Sequence, residues 1–319
     1  MSAAPSAQAS LPLRVAAVVV NWNGGARNLC CVRSLLAQGL DESDIAFVDN
    51  GSRDGSAQAT LDAHPRLHAI RNASNLGYGA GTNQGIAWAL ARGCEAVYLV
   101  NNDLEAPAGT LRRLCEELAS DERVGIVGPR VLYRHDPTRV WAAGAQLTWR
   151  ANLSTLLGHG EADGARWQVT RDVDYVPGCA LLARRAVFER IGLLEADYFA
   201  YHEDLEFCVL ARRAGFGVRV VGEAHALHDA GGSTGGGYNP RRKYMMGVNT
   251  VWFLRRHGTP PRWLSFALFD VLPLPLLWLA GLFNGRSRAV LAKALGTWHG
   301  LRGRKIDPAL LEAGAGPLW

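Results

Sequence analysis

Apolar and polar positions follow a strand–helix rhythm over the first two thirds of the chain. Residues 15–20 form an uninterrupted apolar run with no period of two, which is typical of a strand buried on both faces. Residues 28–38 place apolar side chains at helical spacing instead. Strands are predicted at 15–20, 44–48, 67–70, 96–100, 124–127, 173–182 and 217–221, and helices at 28–38, 56–63, 81–92, 107–118, 184–191 and 203–214. This order predicts an α/β fold in which helices cover both faces of a parallel sheet.

Two stretches depart from this rhythm. Residues 139–171 are irregular and predict an insertion of loops or antiparallel strands. Residues 263–283 are mostly apolar and long enough to span a bilayer, although Asp270, Pro273 and Pro275 interrupt them. Arginines on both sides favour an anionic membrane surface, and the alternative is a pair of core helices packed on the main domain.

Charge divides the chain into two parts. The net charge of +5 combines +9 over residues 241–319 with −4 over residues 1–240. A basic block suits anionic partners, but the aromatic residues there lie in an apolar run rather than among the arginines, which argues against nucleic acid. We therefore expect a catalytic domain at 13–240 and a basic helical extension at 241–319.

Composition and the N-terminal residues indicate the cellular compartment in which the protein is expected. The chain has 319 residues, of which 48% are hydrophobic and 20% charged, as in globular proteins. Its six cysteines contain no C-x-x-C pair and are interpreted as reduced packing residues of a cytosolic protein. Residues 1–12 lack the basic start and apolar core of a signal peptide and are predicted to be a disordered tail.

Polar side chains follow the first two predicted strands. Asn21 and Asn23 come directly after the first strand, at a position where α/β proteins contact ligands. Asp49 follows the second strand and could accept hydrogen bonds from a base or ribose. The alternative for both stretches is an ordinary turn, since the Asn-Gly and Asp-Gly pairs between 50 and 55 are turn formers.

A glycine-rich stretch, 75–85, opens a predicted helix. Backbone amides near Asn75, Gly77 and Gly79 could face a phosphate there. The glycines at 79, 81 and 85 also form a loose dinucleotide fingerprint, which raises an NAD(P)-binding oxidoreductase as an alternative. Against it, the preceding strand is weak, and such a fingerprint normally follows the first strand of the fold.

Acidic residues and a histidine suggest two chemical sites. Asp103 ends the run Asn101-Asn102-Asp103 after an apolar strand, which suits Mg²⁺ or Mn²⁺ when substrate phosphates fill other positions; the alternative is a helix cap. Glu203 and Asp204 start a helix, where the dipole alone favours acids, but a carboxylate there could deprotonate an acceptor hydroxyl. His228 could complete a metal shell or be merely packed, and it precedes a candidate pyrophosphate loop at 231–237.

Taken together, these motifs resemble the family 2 glycosyltransferases with the GT-A fold, particularly bacterial rhamnosyltransferase-like members. The resemblance runs in order from about residue 15 to residue 257. It is carried by Val-Val-Asn-Trp-Asn-Gly, Val-Asp-Asn-Gly-Ser, Asn-Leu-Gly-Tyr-Gly-Ala-Gly-Thr-Asn-Gln-Gly, Leu-Val-Asn-Asn-Asp, Pro-Gly-Cys-Ala-Leu-Leu-Ala-Arg-Arg and Glu-Asp-Leu-Glu. It implies a Rossmann-like, mostly parallel sheet, a nucleotide-sugar donor and inversion at the anomeric carbon.

The resemblance also implies roles for individual residues. Asp103 matches the last acid of the metal-binding D-x-D motif, and Asn101 stands where many members have the first Asp. Asp204 matches the proposed general base with Glu203 supporting it, and His228 matches a histidine often placed near metal or diphosphate. Donor contacts are expected from Asn21, Asn23, Asp49, Asn75, Gly77, Gly79, Asn102, Arg241 and Arg242, and the Arg255-Arg256 pair resembles the basic region near the diphosphate.

The sequence thus predicts an inverting glycosyltransferase that depends on Mg²⁺ or Mn²⁺ and acts at the cytoplasmic face of a membrane. The expected acceptor is a lipid-linked or polysaccharide intermediate of cell-surface glycan assembly, with peripheral membrane contact. The first donor expected is dTDP-rhamnose, and the alternatives of the same class are UDP-N-acetylhexosamine and UDP-galactose. A catalytically inactive sugar-binding module is a further alternative, although the intact Glu203-Asp204 pair argues against it.

Overall fold

The structure is a computed structural model that describes residues 10–229, 238–311 and 318–319. The predicted loop at 231–237 and most of the predicted tail lie outside this part of the chain. Residues 10–12 belong to the packed structure rather than to a tail, because Leu11 packs against the core and Ser10 accepts a hydrogen bond from Arg112.

A ten-stranded mixed sheet forms the centre of the molecule. Its strands are β1 (Val15–Asn21), β2 (Ile45–Asp49), β3 (His68–Arg71), β4 (Ala96–Asn101), β5 (Leu104–Glu105), β6 (Val124–Tyr133), β7 (Val140–Ala142), β10 (Arg171–Asp172), β11 (Ala180–Arg184) and β12 (Gly217–His228). The main order is β10-β12-β6-β11-β4-β1-β2-β3, while β5 pairs with β12 and β7 with β6. Strands β8 (Ala145–Leu147) and β9 (Ser154–Leu156) form a separate pair.

Helices cover both faces of the sheet, as predicted. They are α1 (Arg27–Ala37), α2 (Ser56–Ala63), α3 (Tyr78–Ala91), α4 (Thr110–Ser120), α5 (Arg185–Ile191) and α6 (Glu203–Arg213). Along β1, Ala16 and Val18 join one buried core while Val15, Ala17 and Val19 join the other. This alternation with both faces apolar explains why the run has no polar positions.

The sheet is less parallel than the strand–helix rhythm predicts. Strands β1, β2, β3 and β4 pair in parallel, as do β6 and β12, but β11 runs antiparallel to both β4 and β6. The chain between β6 and β11 is the irregular insertion, which lacks an α-helix, so the strand–helix alternation on which the parallel prediction rests is interrupted here. The predicted strand at 173–182 accordingly begins only at Ala180, after Pro177-Gly178.

The C-terminal extension is helical. It contains α7 (Pro240–His257), α8 (Pro260–Phe266), a π-helical turn (Ala267–Val271), α9 (Leu274–Asn284) and α10 (Ser287–Leu301). Helices α7 and α10 pack closely through glycines, since a Cβ on Gly296 would come within 2.1 Å of the Tyr244 carbonyl oxygen. The predicted boundary between 240 and 241 falls in the first turn of α7.

The apolar segment lies largely on the surface. The helical stretch Pro260–Asn284 is long and apolar enough to cross a membrane by length and composition, yet only 17% of its most apolar window is buried. Leu276 is 72% exposed and Phe283 is 93% exposed. The alternative of a core helix pair packed on the main domain is therefore wrong. Asp270 is buried within this segment, where it pairs with Lys293 of α10.

Candidate active site

The carboxyl ends of three parallel strands bring the predicted polar residues together. Asn21 pairs in register with Asp49 across β1 and β2, and Val20 pairs with Asn101 across β1 and β4. The loops that follow these strands and β3, residues 21–28, 49–56, 72–79 and 101–103, are called the edge loops below. They lie at the sheet edge where α/β proteins bind ligands.

Buried asparagines tie two edge loops to α1. The Oδ1 atom of Asn21 accepts hydrogen bonds from Asn28 Nδ2 at 2.9 Å, Gly24 N at 3.0 Å and Asn102 Nδ2 at 3.3 Å. Asn102 also donates to Asn28 Oδ1 at 2.8 Å. All three asparagines are buried, so the side chains of Asn21 and Asn102 face each other rather than the open edge.

A second asparagine group fixes the glycine-rich loop. Buried Asn50 donates to Asn75 Oδ1 at 2.9 Å and to the Gly77 carbonyl at 3.0 Å, and its Oδ1 accepts from Leu76 N at 3.1 Å. Gly77 has a φ of 89°, and a Cβ there would lie 2.6 Å from the Phe199 carbonyl oxygen. Glycine is therefore required by both conformation and space.

The other glycines of this loop serve packing. A Cβ on Gly85 would come within 2.4 Å of Val18 Cγ1, and one on Gly79 would lie 3.2 Å from the Glu195 carbonyl oxygen. The glycine spacing thus follows from the close approach of α3 to β1 and to the chain before α6. This removes the reason for the NAD(P) alternative.

Asp49 and Asn23 lie nearer the open edge. Asp49 Oδ1 accepts from Asn21 Nδ2 at 3.3 Å and from Ser52 N at 3.2 Å, while its Oδ2 accepts nothing within the described residues. Asn23 is exposed, adopts a φ of 52°, and its Oδ1 accepts from Arg53 N at 2.8 Å. Asp49 thus keeps a carboxylate oxygen available to a ligand.

The predicted metal residues Asp103 and His228 lie together. Strand β5 pairs with the end of β12, so His228 Nε2 lies 3.2 Å from Asp103 Oδ1, and both side chains are buried. Neither Asp103 Oδ1 nor His228 Nδ1 has a hydrogen-bond partner in the described part of the chain. A carboxylate oxygen and an imidazole nitrogen suit Mn²⁺, and the carboxylate suits Mg²⁺. No cluster of three potential protein ligands occurs among the described residues, so a metal here needs further oxygens from its substrate or from water.

Glu203 and Asp204 form a second acidic site at the first turn of α6. Asp204 Oδ2 accepts from Gly178 N and its Oδ1 from Leu205 N, both at 2.8 Å. Burial raises the pKa of Asp204, and these backbone donors oppose that rise. Burial, together with the charge of Asp204, raises the pKa of Glu203 to about 8, and Glu203 Oε2 has no partner within the described residues. Glu203 is therefore mostly protonated at pH 7.

Cys179 lies between the two acidic sites. Its carbonyl accepts from Asn101 N at 3.0 Å, beside Asp103, and its neighbour Gly178 donates to Asp204. Burial raises the pKa of the Cys179 thiol, and the charges of Asp103 and Asp204 raise it further. Both carboxylates therefore lie near Cys179 at the sheet edge.

Strained backbone leads into the second acidic site. Phe199, Tyr201 and His202 have φ values of 59°, 71° and 79°, which are uncommon for side chains of this size. Strain of this kind persists where the surroundings over-determine it, and it is concentrated at functional sites. Residues 198–204 are called the acid segment below.

Asn249 of α7 holds the acid segment, and no sequence motif singles it out. Its Nδ2 donates to the carbonyls of Tyr198, Ala200 and Tyr201 at 3.0, 2.8 and 2.7 Å, and the side chain is buried. A lone polar residue inside a helical apolar pattern is the only signal that could have drawn attention to it. Asn28 and Asn50 were missed in the same way.

The predicted basic residues take different places. Arg241 and Arg242 lie in the first turn of α7, where their backbone amides donate to Asn239 Oδ1, and the Arg242 guanidinium lies 5.4 Å from the Tyr201 ring centroid. Arg256 instead pairs with Glu195 and Glu206, and so joins α7 to α6. Arg255 donates to the Leu301 carbonyl. The Arg255-Arg256 pair therefore serves helix packing.

Comparison with known proteins identifies the family. The sequence model described as Glycosyl transferase family 2 matches residues 17–192, more than half of the chain. This chain belongs to glycosyl transferase family 2. That result confirms the resemblance and excludes the oxidoreductase alternative.

Curated relatives of this family member include two named enzymes. The low-salt glycan biosynthesis hexosyltransferase Agl10 of Haloferax volcanii is 27% identical over 62% of this chain and 62% of its own. The N-acetylglucosaminyl-diphospho-decaprenol L-rhamnosyltransferase of Mycobacterium tuberculosis is 28% identical over 60% of this chain and 68% of its own. The similarity thus spans roughly three fifths to two thirds of the length of these relatives.

Solved structures share the fold. The mannosyltransferase PcManGT of Pyrobaculum calidifontis, solved with GDP-Man and Mn²⁺, has a TM-score of 0.56 at 16% identity and covers 91% of this chain and 87% of its own. Residues 1–349 of S. aureus TarS give a TM-score of 0.52 at 13% identity, with 92% of each chain covered. The predicted GT-A fold, a sheet flanked by helices, is confirmed.

Proposed function

We propose that this family 2 member transfers a sugar from a nucleotide-sugar to a hydroxyl group, with inversion at the anomeric carbon. The observation that carries the proposal is the pair of acidic sites, Asp103–His228 and Glu203–Asp204, on either side of Cys179. One site can hold the donor's diphosphate while the other accepts a proton from the acceptor.

Asp103 and His228 are proposed to hold Mg²⁺ or Mn²⁺. Their unpartnered buried atoms fit a cation, and the donor diphosphate would supply oxygens that the protein lacks. When bound, the ion would neutralise charge on the departing nucleoside diphosphate.

The edge loops are proposed to bind the nucleoside. Asp49 Oδ2 is available for a hydrogen bond from the base or ribose, and Asn23, Asn75, Gly77 and Gly79 belong to the same edge loops. Since the side chains of Asn21 and Asn102 are satisfied internally, we assign them to the positioning of these loops rather than to direct donor contact. Arg241 is proposed to reach the diphosphate.

Asp204 is proposed as the general base. The acceptor hydroxyl oxygen attacks the anomeric carbon, the bond from that carbon to the diphosphate breaks, and the hydroxyl proton passes to Asp204. A single displacement of this kind inverts the configuration without a covalent intermediate. Glu203, which is mostly protonated at neutral pH, spares the pair a second negative charge beside the base.

The proposed donor and acceptor are suggested by the name of one relative. One relative is a rhamnosyltransferase that acts on a diphospho-decaprenol, so we propose dTDP-rhamnose as the first donor and a lipid-linked sugar as the acceptor. UDP-N-acetylhexosamine and UDP-galactose are the alternative donors for the same site. The enzyme would then work in cell-surface glycan assembly.

Peripheral membrane contact at the cytoplasmic face is proposed for the apolar stretch Pro260–Asn284. Its leucines and Phe283 face outward, and arginines lie at both ends. We expect Leu276→Glu with Phe283→Glu to reduce co-sedimentation with phosphatidylglycerol vesicles at least tenfold while leaving nucleotide binding unchanged. Unchanged sedimentation would refute the contact.

The experiment that tests the function is a ligand panel. Thermal shifts would be measured with dTDP, UDP, GDP and NAD(P), each with and without Mn²⁺. Stabilisation by one nucleoside diphosphate that depends on Mn²⁺ is expected, and it would identify the donor nucleotide. Stabilisation by NAD(P) alone, indifferent to metal, would contradict the proposal.

A further inference from the structure

Cationic side chains gather where α7, α10 and the end of α9 meet. The Lys243 ammonium lies 4.8 Å from the Tyr238 ring centroid, and the Arg286 guanidinium lies 4.4 Å from the same centroid. Arg242 lies over Tyr201 at 5.4 Å. Lys293 lies near enough to Lys243 for its charge to act on it. Arg242, Lys243, Arg286 and Lys293 are called the cation cluster.

The cation cluster carries excess positive charge. Asp270 pairs with Lys293, which also donates to Asn152 Oδ1 at 3.0 Å. Arg242, Lys243 and Arg286 form no ion pair with a carboxylate within the described residues, so the four cations face one anion. Burial, followed by the charges of Lys293 and Arg242, lowers the pKa of Lys243 to about 8. A partly buried lysine among like charges is stabilised by any anion that binds there.

The surfaces on each side of the cation cluster indicate which class of anion it binds. On one side, Arg242 contacts Tyr201 of the acid segment, two residues before Glu203, and Lys293 and Arg242 both help to lower the pKa of His202, after burial, to about 4. On the other side, Arg286 follows the end of α9, next to Phe283 and the exposed apolar face. The order along the surface is thus carboxylate, cations and apolar helix.

We propose that the cation cluster binds the diphosphate of a lipid-linked acceptor, a sugar joined through diphosphate to a prenyl chain. This rests on the proposed function. Such an acceptor has a reacting hydroxyl, a diphosphate and an apolar chain in that order, which matches the order of the three surfaces. Its prenyl chain would leave along α9 towards the membrane.

The donor diphosphate is a separate group in this arrangement. It is proposed to lie at Asp103–His228, on β5 and β12 of the sheet, with Arg241 as its contact on α7. The cation cluster is built instead from the next two residues of α7, from α10 and from the turn before α10. Substitutions in the cluster should therefore weaken acceptor binding and spare the donor nucleotide.

The test uses farnesyl diphosphate as the probe, with farnesol as its uncharged counterpart. Binding to the full-length protein would be measured by titration calorimetry for wild type, Lys243→Gln and Arg286→Gln. Arg302→Gln is the matched control, because Arg302 also lies over an aromatic ring, 4.3 Å from the Trp298 centroid, but outside the cluster. Binding of the nucleoside diphosphate with Mn²⁺ is measured on the same samples.

Wild type is expected to bind farnesyl diphosphate at least tenfold more tightly than farnesol. Lys243→Gln and Arg286→Gln should each weaken it at least fivefold, while Arg302→Gln and all nucleotide affinities stay within twofold. Equal affinity for farnesol, or equal losses in the control, would overturn the inference. Loss of phosphatidylglycerol vesicle binding with unchanged farnesyl diphosphate affinity would instead identify a lipid headgroup site. Failure of the nucleotide to bind wild type would count against the proposed function itself.

Discussion

The edge loops and the acid segment face the same point of the sheet but are supported in opposite ways. Asn21, Asn28 and Asn102 bond to one another, so the edge loops are fixed largely from within. The acid segment contains three strained residues and takes its support from Asn249, on a helix more than forty positions later. The difference shows that the C-terminal extension helps to hold the backbone of the candidate site.

The largest effect is expected at the acid segment itself. Asp204→Asn removes the proposed base while keeping the shape of the side chain, so turnover should fall about a thousandfold. The measurement is the rate of sugar transfer or of slow donor hydrolysis. Donor affinity should change by less than threefold, and a large loss of donor binding would sink the base assignment.

Truncating one asparagine that supports the acid segment and one that supports the edge loops would show whether the two regions have different kinetic roles. Asn249→Ala removes the donor to three carbonyls of the acid segment, so kcat should fall on the order of tenfold with the donor KM nearly unchanged. Asn28→Ala disturbs the edge loops, so the donor KM should rise on the order of tenfold with a smaller change in kcat. Each variant is the other's control in steady-state kinetics. The same pattern for both would mean that the two regions are not functionally distinct.

The last effect, on stability rather than on turnover, concerns Glu203 and pH. Its pKa is raised from 4.5 to about 8 by folding, so the folded state binds the extra proton between these values. Stability from this group is complete below about pH 4.5 and is lost as pH rises through about 8. Glu203→Gln cannot ionise, so its free energy of unfolding relative to wild type should increase by a few kcal/mol from pH 5 to pH 9. Denaturant titrations at both pH values measure this, and a constant difference would contradict the burial argument.

Sequence patterns predicted the parts of the fold that depend on local order. Helix α2 has the predicted bounds, and the carboxyl ends of β1, β2 and β4 place Asn21, Asp49 and Asn101 side by side. The pairing of Asp103 with His228 was also anticipated, although through the resemblance rather than through any spacing rule.

The features that were not predicted depend on contacts between residues that are far apart in the sequence. The antiparallel β11 follows an insertion whose path has no periodic pattern, so the parallel prediction was too broad there. Asn249 matters because α7 packs beside the acid segment, which no local pattern encodes. The donor contacts of Asn21 and Asn102 stay a prediction, but the hydrogen bond between their amides was not predicted, because no sequence pattern reveals it.

The central claim is that Asp103 serves metal-dependent donor binding whereas Asp204 accepts the proton, and one titration tests it most directly. The affinity for the nucleoside diphosphate selected by the panel would be measured with and without Mn²⁺ for wild type, Asp103→Asn and Asp204→Asn. The account predicts that Asp204→Asn keeps the metal-dependent binding of wild type and that Asp103→Asn loses it, with affinity at least tenfold weaker. Metal-dependent binding that survives in Asp103→Asn, or disappears in Asp204→Asn, would contradict it.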